Sequence, residues 1–229
     1  MNILLIFGAS GELGKGAAKV LSNGKFDRIY LFVSRTDVSL KIKSNETFIE
    51  IKDLSVEDNV KNAFDKINYS KEDTLFLFST IGGYTGGNKI WETSSDEWDK
   101  MFSKNLKANF LICKFFALAV QKAAGGSICL TSAYTGVSPE IGKAAYGTSK
   151  SALNYLVKTL ALEGTEIGLS ANAIAPLIID TPSNREWGNE DDFTKWQKPE
   201  EIGEIVLDLF ANYKSVTGNI IELKERLNI

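Results

Sequence analysis

Short runs of apolar, β-branched and aromatic residues alternate along this chain with longer stretches whose apolar positions recur at helical spacing, nearly from end to end. The pattern predicts strands at residues 2–7, 29–34, 47–51, 74–79, 127–131, 170–175 and 219–223. Between them it predicts helices at 14–22, 56–67, 95–122, 144–164 and 199–213. Such repetition implies parallel strand pairing, because a parallel crossover needs a covering helix. The expected fold is α/β: one Rossmann-like, doubly wound parallel sheet of about seven strands with helices on both faces.

No repeat of solenoid length, low-complexity tract or Pro/Gly/Ser-rich linker interrupts the pattern, so one domain over residues 1–229 is expected. One stretch, 181–198, fits neither strand nor long helix. It mixes Trp187, Phe193 and Trp196 with Glu190, Asp191 and Asp192, and its place after a strand end makes it a candidate substrate lid. An ordinary surface excursion is the alternative.

Composition narrows the chemistry. The 229 residues are 44% hydrophobic and 24% charged, enough apolar content for a sizeable core, and they include no histidine. That absence excludes Ser-His-Asp and Cys-His nucleophile systems and every zinc site built on imidazole. Acid-base work must fall to Tyr, Lys, Asp or Glu, and no metal is expected.

The 26 basic and 29 acidic residues leave a net charge of -3 with no long block of like charge, which disfavours a nucleic-acid partner. Cys113 and Cys129 are too few for a disulfide framework and lack CxxC spacing; they read as buried reduced thiols of a cytoplasmic protein. The run 1–7 has neither a basic leader nor a small-residue cleavage site, and the stretch 110–120 is broken by Lys114. Nothing approaches the ~20 apolar residues that cross a bilayer, so no membrane partner is expected.

The first predicted strand runs into Gly8-Ala9-Ser10-Gly11-Glu12-Leu13-Gly14, and a helix follows. In that setting glycines let the backbone turn tightly and approach a pyrophosphate, whose charge is stabilised by free N–H groups and the helix dipole. Glycine turns also follow strands for packing reasons, but the first βα junction of a doubly wound chain is where a dinucleotide binds. Strand two ends in Ser34-Arg35, where an acidic residue would hold the ribose 2′-hydroxyl of NAD. A hydroxyl and a guanidinium instead suit a 2′-phosphate, so NADP(H) is expected as the preferred cofactor and NAD(H) as the second choice.

Tyr146 and Lys150 stand at i and i+4 of a predicted helix, on one face and within reach of one shared site. A phenol near ~10 is a poor proton shuttle at neutral pH, and lowering it by ~3 units takes ~4 kcal/mol. An ammonium at ~4 Å supplies about that much at an effective dielectric of ~20, before desolvation is subtracted. The spacing alone also arises in ordinary helices.

In combination with Gly8 to Gly14, Asp53-Leu54 after strand three, Asn105 in the fourth helix and the run Pro176 to Thr181, the pair resembles the short-chain dehydrogenase/reductase family over essentially the whole chain. The resemblance implies that Tyr146 donates a proton to substrate while Lys150 lowers its pKa and holds the nicotinamide ribose. It implies that Asn105 supports the proton relay, that Asp53 and Leu54 contact adenine, that Thr80, Gly82 and Pro176 border the cofactor, and that Ile179 with Thr181 fixes the carboxamide.

The chain departs from the family pattern in several places. Ala133 stands where the family usually carries a catalytic serine, with Ser132 one position earlier. Ser132 is retained as a candidate, although a strand neighbour should point the other way. The loop after strand four reads Ser79-Thr80-Ile81-Gly82, and Pro176 is followed by Leu177.

The alanine, the loop Gly82-Gly83-Tyr84-Thr85-Gly86-Gly87 and the segment from Asp180 to Trp196 resemble the dihydropteridine reductase subgroup and its prokaryotic relatives. That resemblance implies that Tyr84 stacks on a planar substrate such as a quinonoid dihydropterin, with Trp187 and Trp196 as further candidate substrate residues. Packing of these rings onto the sheet is the alternative for all three. A 3-oxoacyl-thioester or other carbonyl as substrate, and a non-catalytic NADP-binding sensor, stay open. The apolar circumference of the helix around Phe110, Leu111, Phe115 and Leu118 predicts a homodimer or homotetramer.

Overall fold

The computed structural model describes residues 1–34 and 43–227. Seven parallel strands, β1 (Asn2–Phe7), β2 (Arg28–Val33), β3 (Glu46–Glu50), β4 (Thr74–Ser79), β5 (Gly125–Thr131), β6 (Leu169–Pro176) and β7 (Ile220–Leu223), form one sheet in the order β3-β2-β1-β4-β5-β6-β7. The helices are α1 (Glu12–Leu21), α2 (Glu57–Phe64), α3 (Ser95–Phe102), α4 (Ala108–Val120), α5 (Ala144–Glu163), the short α6 (Pro182–Arg185) and α7 (Pro199–Ala211).

Successive side chains of a strand point to opposite faces, and β1 divides accordingly. Ile3, Leu5 and Phe7 face a layer built from α2, α4 and α5, while Leu4 and Ile6 face α1 and α7. Both faces of the sheet are therefore covered, which is why its central strands read as unbroken apolar runs. Phe7 stacks on Phe32 with centroids 4.0 Å apart, joining β1 to β2 beneath α2. No helix among the described residues is long and apolar enough to cross a membrane.

The expected helix over 95–122 is interrupted. Residues Ser103–Lys107 form a π turn between α3 and α4, which accommodates an extra residue without ending the helical run. Asn105 lies in that turn, fully buried.

Strand order reverses between β1 and β4, leaving a crevice at their carboxyl ends. The Gly8 turn and Thr80 meet there: the Thr80 N–H donates to the Phe7 carbonyl at 3.0 Å, and its hydroxyl donates to the same oxygen at 3.0 Å.

Candidate active site

At the crevice, Gly8 adopts φ +80°, a conformation side chains disfavour, and Gly14 brings α1 close enough that a Cβ there would lie 2.1 Å from the Gly8 carbonyl oxygen. α1 then begins at Glu12, after Gly11, without a side-chain cap, so the backbone N–H groups of its first turn are left free at the glycine turn. A groove of about 450 Å³ lies here. Gly8, Ser10, Gly11, Ser34, Asp53, Leu54, Thr80 and Gly82 line it, together with Phe32 and Ile51. Hydrogen bonds from Ser55 hold the Asp53 carboxyl below the usual range, keeping it ionised beside the groove.

Glu12 and Leu13 continue from the turn into α1, where Glu12 pairs with Lys15. Arg35 lies outside the described residues. Pro176 ends β6; Ile179 bridges to Gln197; the Thr181 hydroxyl caps α6 by accepting from the Asn184 N–H. These three residues stand outside the groove lining.

Gly82 belongs to the groove lining, and beside it the candidate acid-base residues gather. A Cβ on Gly82 would sit 2.9 Å from Asn105 Oδ1 and 3.0 Å from Lys150 Nζ, so a side chain there would make these two groups shift. Lys150, one turn beyond Tyr146 on α5, is buried and donates to the Thr131 carbonyl at 2.7 Å. Asn105 accepts from the Gly83 N–H at 2.8 Å and donates to Ser149 Oγ at 3.0 Å, while the Ser149 hydroxyl donates to the Tyr146 carbonyl at 2.7 Å. Loop, π turn and α5 are thus tied into one polar unit. Sequence patterns did not single out Thr131 or Ser149, because their roles depend on which carbonyl or amide faces them after folding.

The proton affinities differ from the expectation of a lowered Tyr146. Burial pushes its phenol up to about 12, and Tyr84 and Glu140 add to the rise. Burial pushes Lys150 the other way, down to about 8. The Lys150 ammonium is directed to a main-chain carbonyl, and desolvation outweighs any help it gives the phenolate. Tyr146 is therefore a neutral O–H donor across the ordinary pH range.

The aromatic candidates separate. Tyr84 is 59% exposed and sits beside Tyr146, and Lys143 Nζ lies 5.9 Å from its ring centre. Its loop is held to the one preceding α5 by the Gly87 N–H donating to the Gly142 carbonyl at 2.7 Å. Trp196 does not face the site. It is 5% exposed, with Phe193 at 4.8 Å, Trp187 at 5.7 Å and Gly188 pressed against its ring, so it forms the centre of the 181–198 segment. Trp187, 65% exposed, covers it from outside.

That segment is folded. A bidentate Arg185–Asp180 pair and the Arg185 guanidinium 4.8 Å over Phe193 close its first part. Arg226, which pairs with Glu201 and donates to the Thr194 carbonyl, fastens its second.

Ser132 is 2% exposed, and its hydroxyl donates to the Lys150 main-chain carbonyl at 3.4 Å; Ala133 follows in extended conformation, also buried. Cys113 and Cys129 are buried, and burial pushes both thiols up to about 12.

Comparison with known proteins gives the family and the fold. Residues 2–192 match the family model described as short chain dehydrogenase. The chain is 28% identical to dihydropteridine reductase of Dictyostelium discoideum, over 99% of this chain and 96% of that protein. It is 24% identical to the 3-oxoacyl-acyl-carrier-protein reductase FabG of Thermotoga maritima, over 96% and 95%. Among solved structures, ElxO with NADP bound superposes with a TM-score of 0.84 at 21% identity, covering 97% of this chain and 96% of that one.

Proposed function

This chain belongs to the short-chain dehydrogenase family, and from that premise we propose that it is an NADP(H)-preferring reductase of a small carbonyl or imine-type substrate, with a quinonoid dihydropterin as the leading candidate. One observation carries the reading: the groove lined by the glycine turn is also lined by Gly82, which lies against Asn105 and against Lys150, on the helix that bears Tyr146.

The residues present fit a nicotinamide dinucleotide. Gly8, Gly14 and the uncapped start of α1 form a cradle for a pyrophosphate, and Asp53 and Leu54 offer an adenine subsite. Ser34 leaves strand two without a carboxylate at its end, which supports the 2′-phosphate form; the neighbour ElxO has NADP bound. When bound, the dinucleotide supplies a hydride. Ile179 and Thr181 would border its carboxamide end.

The protein contributes the proton. Tyr146, held neutral, donates from its O–H to the substrate atom that gains electron density. Lys150, anchored on Thr131, keeps a positive charge behind it at neutral pH. No hydroxyl is available at position 133 to share a developing oxyanion, and Ser132 is given no chemical role. A nitrogen-centred acceptor makes less demand for such a donor, and the exposed Tyr84 ring offers a flat neighbour; both support a planar imine over an aliphatic ketone. The segment 181–198 serves as the lid, with its later half fastened by Arg226. Exposed Phe110 and Leu118 on α4 and Tyr155 and Leu162 on α5 support pairing with a second copy, which sedimentation would reveal as a species larger than 25.2 kDa.

The test is a panel of quinonoid dihydropterin, acetoacetyl thioester and simple ketones with NADPH and NADH. We expect turnover of the dihydropterin and tighter binding of NADPH. Failure to bind any nicotinamide nucleotide would overturn the reading; binding without turnover of any acceptor would favour a sensor.

A further inference from the structure

One buried amide in α4 has no part in the chemistry above. Asn109 is fully buried. Its Oδ1 accepts from Ser79 Oγ at 2.7 Å, and its Nδ2 donates to the Ile81 carbonyl at 3.1 Å and to the Asn105 carbonyl at 2.9 Å. The three partners are the last residue of β4, the loop that follows it and the π turn. An apolar helix face packed against a sheet has no need of an amide, and burying one is favourable only if all its polar groups are met, as they are here.

The consequence lies one residue further along the loop. Ile81 leads into Gly82, whose Cα faces Asn105 Oδ1 and Lys150 Nζ, and then Gly83, whose N–H is held by Asn105. Asn109 thus fixes both sides of the gap in which Lys150 and Gly82 meet. Resting on the reading of that groove as a nicotinamide dinucleotide site, we propose that Asn109 is a positioning residue: it sets the 79–83 loop and the π turn against Lys150, and so fixes the nicotinamide end of the groove without touching substrate.

Asn109→Asp keeps the acceptor for Ser79 but loses both donors; Ser79→Ala removes only the hydroxyl that orients the amide. The readout is affinity for NADPH set against affinity for 2′,5′-ADP, which occupies the adenosine end alone, together with kcat on the acceptor found in the panel. Asn109→Asp should lose about tenfold in NADPH affinity with 2′,5′-ADP affinity unchanged, and about 10²-fold in kcat, the scale of a small misplacement of reacting groups. Ser79→Ala should show the same split, more weakly, and decides the matter if Asn109→Asp does not fold. Equal loss of both ligands, or a lower melting temperature with affinities and kcat intact, would overturn the proposal by showing a structural amide. A wild-type protein that binds neither NADPH nor NADH would sink the reading of the groove itself, and the proposal with it.

Discussion

The rings of Tyr84 and Tyr146 meet edge-on, centroids 5.0 Å apart and planes 87° from each other. The proposed proton donor and an exposed flat surface thus share one corner, so a planar acceptor that reaches the phenol would also lie against Tyr84. Tyr84→Leu should raise KM for such an acceptor by about tenfold, the scale of one aromatic contact, and change kcat less. Steady-state kinetics on the accepted substrate decides; an unchanged KM would remove Tyr84 from the substrate surface.

The pH profile of reduction should follow Lys150. Tyr146 stays protonated up to about 12, so it cannot cause a fall in rate near neutrality. Lys150 loses its charge at about 8, and kcat should be level below that pH and decline above it. Tyr146→Phe should cost about 10²–10⁴-fold in kcat, as removal of a general acid does. A decline centred below pH 7 would point to another group.

Lys150 should also cost stability. Its pKa falls from 10.5 in the open chain to about 8 in the folded protein, so at neutral pH folding buries an unwelcome charge. The penalty is full below about 8 and disappears as pH rises toward 10.5. It amounts to about 3 kcal/mol at most, and loss of the bond to Thr131 offsets part of any gain from removing it. Lys150→Met should therefore be inactive yet more stable at pH 7 by about 1–2 kcal/mol, with the difference shrinking above pH 8. Denaturant melts at pH 7 and pH 10 test the sign.

The glycine turn can be tested by contrast. A Cβ on Gly14 would meet the Gly8 carbonyl at 2.1 Å, whereas one on Gly11 would find its nearest neighbour at 3.4 Å. Gly14→Ala should destabilise by about 1–3 kcal/mol and weaken nucleotide binding; Gly11→Ala should melt close to wild type. Equal melting of the two variants would reject this account of the spacing.

Where apolar runs met polar or glycine boundaries, the strands were legible: β1 and β4 have the predicted limits. β5 begins earlier than expected because Gly125 and Gly126 carry no side chain to signal a strand. The π turn is not legible in the apolar pattern, because the stretch around Asn105 is mostly polar and carries little periodicity to shift. Spacing placed Tyr146 and Lys150 on one face, but the direction of their proton affinities depends on burial that spacing does not contain. The resemblance makes Trp196 a candidate substrate residue with packing as the alternative; in space Gly188 and Phe193 make it an interior residue.

β1 pairs with β2 on one side and β4 on the other, from Ile3 to Phe7 along both edges. One wall of the groove comes from the segments after β2 and β3, the other from the segment after β4. During refolding neither flank owns a binding site until β1 has accepted both neighbours. A groove ligand therefore has nothing to hold in a half-assembled chain: it should slow unfolding while leaving early collapse untouched, and at 100 times its Kd it would add about 2.7 kcal/mol to the finished fold.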